Sequence, residues 1–134
     1  MYEILAVRQN VFIVEQECAY QDADELDRSS WHLLGRKMDG TVSAYGRITF
    51  PGSRYKEPSL GRILTLKETR GAVAGREVVR CCLKLCKKQY PKQDIRISAQ
   101  TYLTDFYSDF GFQEVSEPYD DEGIEHIDMI FRTP

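Results

Sequence analysis

No run of apolar residues approaches the ~20 that a membrane-spanning helix needs, and no charged-then-apolar leader opens the chain. A membrane protein is therefore not expected, and neither is a secreted one. The four cysteines cannot build a disulfide framework: Cys81, Cys82 and Cys86 share one helical stretch and Cys18 stands alone. With no Cys-x-x-Cys at partner-histidine spacing, zinc is not expected, and no other metal site suggests itself. The thiols read as reduced, packed into a core and kept in the cytoplasm. Positive charge is not in excess either. The formal net charge is −3, whereas a nucleic-acid binder would select a basic face. Repeats, linkers and low-complexity tracts are also missing. What remains, at 134 residues with 42% hydrophobic and 29% charged side chains, is one soluble domain over residues 1–134. A chain of that size buries about two-thirds of its unfolded surface.

The most informative stretch runs from Ile63 through Leu64, Thr65 and Leu66 to Arg70, Gly71, Ala72, Val73, Ala74, Gly75 and Arg76. It reads as a short aliphatic strand, a charged turn and the start of a long helix. Val78, Val79, Cys82, Leu83, Leu85 and Cys86 recur at three- and four-residue spacing and form one apolar stripe on that helix. Small side chains at the helix start leave its unpaired backbone N–H groups open. Those donors, the positive end of the helix dipole and Arg70 beside them suit a phosphate or pyrophosphate. The plainer alternative is a tight strand-to-helix turn whose small residues serve packing. A P-loop is excluded, because Gly75 is followed by Arg76-Glu77 and not by Lys-Ser or Lys-Thr. A dinucleotide fingerprint lacks its third glycine and its early strand.

Along the chain, spacing predicts a helix over 2–14, a strand over 31–38 and a hairpin turn at Asp39-Gly40. Strands follow over 41–50 and 60–66, then the long helix to Gln89, stopped by Pro91. Ile95–Ala99 is a short buried strand, followed by the helix carrying Tyr107, which Gly111 ends with a left-handed cap. Two last strands, 112–116 and 126–131, are expected to be joined by the acidic turn around Asp120-Asp121-Glu122-Gly123. This order describes an α/β domain with a mixed sheet. Between residues 18 and 30, Asp22, Asp24, Glu25 and Asp27 read as a solvated loop, or as an acidic lip that gathers cationic amines by its field. Arg47 and Arg62 are expected to be buried in strands and paired with acids of that loop or with Glu15.

The run from Arg70 to Gly75 resembles the acyl-CoA signature Arg-Gly-x-Gly-x-Gly of the GNAT N-acetyltransferase superfamily, with Val73 at the usual middle glycine. Gln100 and Tyr107, ahead of the Gly111-Phe112 turn, resemble the amide residue and the tyrosine of that superfamily's last helix; the usual amide is Asn. Arg8 to Gln16, Tyr20 to Asp24, Asp27 and the tail from Tyr119 to Met129 are similar to the ElaA-like branch. The resemblance implies a mixed, mostly antiparallel central sheet flanked by helices, with the branch's usual first strand missing and one sheet edge exposed. It implies acetyl-CoA as co-substrate and direct acetyl transfer to a primary amine of a small-molecule or peptidyl acceptor.

On that basis, Arg70, Gly71, Ala72, Val73, Ala74, Gly75 and Arg76 would take the pyrophosphate. Ile63, Leu64 and Thr65 would line the pantetheine arm with backbone hydrogen bonds and polarise the thioester carbonyl, and Gln100 would bond the arm from the other side. Tyr107 is the expected proton donor to the thiolate. A base for the amine is sought among Glu15, Glu122, His32 and His126, with Glu15 and Glu122 favoured by their matching positions. No nucleic-acid or membrane partner is implied, and a homodimer is compatible with the resemblance. Two other functions fit the same residues: a non-catalytic acyl-CoA sensor, and an acidic interaction domain that takes no cofactor.

Overall fold

The computed structural model describes residues 1–16, 22–67 and 72–134; for Ala72 and Val73 only the backbone is described. Helix α1 (Tyr2–Arg8) opens the chain and runs on as a π-helix over Gln9–Glu15. The predicted helix is therefore present, with its second half wound more widely. Its buried residues, Ile4, Val7, Arg8, Val11 and Phe12, keep the three/four spacing that laid down the stripe.

Strands β1 (Ser30–Arg36) and β2 (Val42–Thr49) form an antiparallel hairpin. β1 stops short of Met38 because Lys37 and Gly40 close the turn, with Asp39 accepting from the Thr41 N–H at 2.9 Å. Next come β3 (Ser59–Thr65), helix α2 (Ala72–Gln89) and β4 (Ile95–Gln100). A 3₁₀ turn over Thr101–Leu103 leads into the short helix α3 (Thr104–Ser108). The chain ends with β5 (Phe112–Glu114), β6 (Tyr119–Asp121) and β7 (Ile124–Phe131).

The seven strands form one mostly antiparallel sheet in the order β1-β2-β3-β4-β7-β5, with β6 also on β7. β1 lies at one edge. The acidic stretch before β7 departs from expectation: it does not bridge two strands but makes β6 and the tip of a β6–β7 hairpin. Glu122 and Gly123 turn the chain at φ +53° and +83°, the left-handed pair a tight hairpin requires. Exposed, acidic β6 has no apolar alternation by which a sequence reading could find it.

Two apolar clusters sit on opposite faces of the sheet. Under α2 and α3 lie Val79, Cys82, Cys86, Ile48, Ile95, Ile97, Met129 and Phe112. Gly46 admits the helix here, since a Cβ at that position would stand 2.6 Å from the Cys82 sulfur. Burial pushes the Cys82 thiol up to about 12 and the Cys86 thiol to about 11, so both stay neutral as packing groups. Cys18 lies outside the described residues. On the other face, Ile4, Val7, Val11 and Phe12 pack on Val42, Tyr45 and Leu64.

Candidate active site

β3 and β4 run parallel and pair only at Ser59↔Arg96 and Leu60↔Ile97. Beyond that point Gly61–Thr65 and Ser98–Gln100 diverge, and a cleft of about 570 Å³ opens between them. The backbone of β3 is distorted at the same place. From Tyr45 to Arg47, two steps along β2, the partner strand takes three, from Leu64 to Gly61. The extra residue is a β-bulge, with Arg62 at φ +49°. Ile63, Leu64 and Thr65 line the cleft on this side and Gln100 on the other.

From the α2 face, Gly75, Leu103, Phe106 and Tyr107 complete the wall. Tyr107 is 8% exposed, edge-on to Phe106 and Phe112 with ring centroids 5.2 and 5.9 Å away. Burial, then Cys82 and Tyr102 nearby, pushes its hydroxyl well above the usual tyrosine range. Tyr107 therefore remains protonated through the neutral range, a proton store that only a strong base can draw on.

Arg76, in the first turn of α2, is tied to α3. It bonds Asp109 at 2.8 Å and lies over the Phe106 and Phe110 rings at 5.7 and 5.8 Å. Ala74 and Gly75 share that turn, and Ala72 begins it. Arg70 and Gly71 lie outside the described residues.

The face beneath α1 brings Val11, Phe12, Glu15, Asp24, Arg47 and Arg62 to the cleft. The acidic loop is not the free lip considered above. Arg8 bonds Asp22 at 2.8 Å and Asp27 at 2.6 Å; Arg47 bonds Asp24 at 2.8 Å and Asp27 at 3.0 Å; Arg62 bonds Asp22 at 2.8 Å. The pairing expected for Arg47 and Arg62 is present, and for the three aspartates it spends the charge that would have attracted an amine. Arg8, 0% exposed, sits inside the apolar stripe of α1, where a guanidinium needs a buried acidic partner. Burial alone would raise Asp27. The Arg8 hydrogen bond, the Asp24 N–H and Arg47 outweigh it and hold that carboxyl at about 2.

His32 and His126 part company. In His32 the Nε2–H donates to the Asp27 carbonyl at 2.9 Å and Nδ1 accepts from the Tyr45 hydroxyl at 2.5 Å, so both nitrogens serve the scaffold. His126 instead lines the cleft, as do Glu122, Asp121 and Glu15. Among the described residues no group of three or more His, Cys, Asp or Glu is arranged to hold a metal. Nor is any described helix long and apolar enough to cross a membrane.

Comparison with known proteins matches residues 8–133 to a family model described as an acetyltransferase (GNAT) domain. UPF0039 protein sll0451 of Synechocystis is 57% identical over the whole chain, which covers 87% of that protein. The crystal structure of an acyl-CoA N-acyltransferase from Pseudomonas aeruginosa superposes with a TM-score of 0.90 at 31% identity, covering 98% of this chain and 89% of that one. The crystal structure of Escherichia coli ElaA gives 0.88 at 35% identity, over 96% of this chain and 87% of that one.

Proposed function

This chain belongs to the GNAT acetyltransferase family, and on that premise we propose that it transfers an acetyl group from acetyl-CoA to a primary amine. The acceptor is a small molecule or a peptide, and the transfer is direct, with both substrates bound. The parting of β3 from β4 carries the reading. Two parallel strands that part after Leu60↔Ile97 leave Ile63 and Leu64 on one side of a cleft and Gln100 on the other. An amide-rich pantetheine arm can pair with them as an added strand would.

In this reading Ile63, Leu64 and Thr65 flank the arm on the bulged side and Gln100 opposes it. A backbone N–H of the bulge would polarise the thioester carbonyl from a fixed position, which avoids reorganisation as charge develops. Arg70, Gly71, Ala72, Val73, Ala74, Gly75 and Arg76 are assigned to the pyrophosphate, where helix-start N–H groups and a guanidinium meet two negative charges. Tyr107 gives its proton to the departing thiolate. Burial keeps the phenol protonated at neutral pH, and the same burial would raise the basicity of a thiolate formed beside it. Glu15 and Glu122 are carboxylates on the cleft wall. The proposal includes a cytoplasmic location and no nucleic-acid or membrane partner.

The test has two stages. Acetyl-CoA should raise the melting temperature, and at least one member of a broad amine panel should drive thiol release above the hydrolysis background. A shift without turnover would replace the enzyme by a cofactor sensor. No shift at saturating acetyl-CoA would remove both.

A further inference from the structure

The cleft is reached from both faces of the sheet, and the two faces offer different chemistry. Along β4, Ile95, Ile97 and Ala99 point into the cluster beneath α2, together with Ile127 and Met129 of β7. Strand side chains alternate, and residues directly opposite across an antiparallel pair share a face. The other set, Ser98 and Gln100 with their partners Asp128 and His126, therefore lies on the face away from α2. Tyr107 approaches from the α2 face, and His126 from the opposite one.

The His126 ring is held at two points. Nδ1 stands 2.8 Å from the Ile124 carbonyl, which can only accept, so Nδ1 carries the hydrogen and the Nε2 lone pair is bare in the neutral ring. Its plane stacks on Tyr119, with centroids 6.3 Å apart and 24° between planes. Tyr119 is itself anchored, its hydroxyl donating to Asp128 at 2.5 Å and bonding Ser98. Asp128 in turn accepts from Arg96 at 2.7 Å. An imidazole fixed in orientation and tautomer, on the wall of a reaction cleft, is what a general base requires.

We propose that His126 is the base that deprotonates the acceptor amine. The assignment rests on the acetyl transfer proposed above. An alkylammonium enters with three N–H protons and leaves as an amide with one. His126 Nε2 takes the first proton and later returns it to water. The freed lone pair forms the C–N bond as the thioester C–S bond breaks. Tyr107 protonates the leaving sulfur, and the second proton shed by nitrogen restores Tyr107. One proton thus ends on coenzyme A and one in solvent. Attack from the His126 face with departure on the Tyr107 face uses each residue where the fold has put it.

The experiment compares two nucleophiles with acetyl-CoA, in wild type and in His126→Gln: an alkylamine found active in the panel, protonated at pH 7, and methoxyamine, neutral at pH 7. The variant should lose about 100-fold in kcat/KM with the alkylamine. The ratio of alkylamine to methoxyamine rates should fall at least about 10-fold, because methoxyamine arrives without the proton to be removed. A scaffold defect would lower both rates alike and shrink the melting shift given by acetyl-CoA; that pattern overturns the assignment. So does a variant as active as wild type. Independently of any variant's folding, long-range ¹H–¹⁵N correlation on ¹⁵N-histidine wild type with acetyl-CoA bound should show one ring protonated on Nδ1 with Nε2 bare. If both rings carry the proton on Nε2, His126 is not poised as described. Wild type that releases no thiol with either nucleophile removes the transfer reading itself, and His126 falls with it.

Discussion

The two faces of the sheet are packed by different means. Beneath α2 the buried cluster is built of aliphatic, aromatic and thiol groups, with Arg76 and Lys87 touching it only at the rings on its margin. Beneath α1 a smaller apolar cluster is continued by three arginines and three aspartates, two of the arginines being at most 1% exposed. Apolar contact is non-directional and tolerates rearrangement. A buried guanidinium must instead meet its carboxylates in one geometry. The charged face therefore positions a loop: it holds Asp22, Asp24 and Asp27 against Arg8, Arg47 and Arg62 at the rim of the cleft. The dry face supplies the rigid floor on which α2 and Tyr107 rest.

The comparison can be broken at its strongest point by Arg8→Met. Removing Arg8 leaves three aspartates facing Arg47 and Arg62, one carboxylate in excess of the guanidiniums, and denaturant unfolding should show a loss of about 3–5 kcal/mol. A loss below about 1 kcal/mol would mean that the loop does not depend on its charges. On the dry face, Tyr107→Phe should lower turnover about 100-fold, equivalent to about 2.7 kcal/mol of barrier, while the acetyl-CoA melting shift stays near wild type. Equal loss of both would make Tyr107 a packing residue only. Gly46→Ala tests that face by volume, since the new methyl meets the Cys82 sulfur. Overpacking should cost about 2 kcal/mol in the same unfolding assay.

The smallest effect is the acid response of the charged face. Asp27 titrates at about 2 in the fold against an ordinary value of 3.8. A lowered carboxylate stabilises the fold fully above the higher value, and the contribution disappears as pH falls from about 4 towards 2. With partial exposure discounted, the loss should be roughly 1–2 kcal/mol. Asp27→Asn should flatten the stability profile across that window. A variant whose profile keeps the wild-type slope there would assign the acid response to other carboxylates.

Much of the architecture was legible in residue spacing. The stripe of Val78, Val79, Cys82 and Cys86 marks α2 and Pro91 marks its end; Gly111 takes a left-handed φ of +104°, but two residues past Asp109, the right-handed C-cap of α3. The small residues from Ala72 onward mark where α2 begins. The hairpin at Glu122-Gly123 was not legible, because β6 is paid no apolar alternation and owes its ladder to β7. Nor was the tie between Arg76 and Asp109, residues 33 apart in sequence that link α2 to the end of α3. His126 could be named as one base among several, but nothing in its neighbours along the chain separates it from His32.

By itself the sequence determined the order of elements, their apolar faces and the position of the small-residue helix start, because each depends on side chains within a turn or two of one another. Only the tertiary structure decided that β3 and β4 part after two registered residue pairs, that Arg8 reaches across 14 and 19 residues to its aspartates, and which histidine faces the cleft. Those outcomes depend on strand register and on buried charge finding its partner. Both are set by contacts between segments far apart in the chain, whose meeting no local pattern encodes.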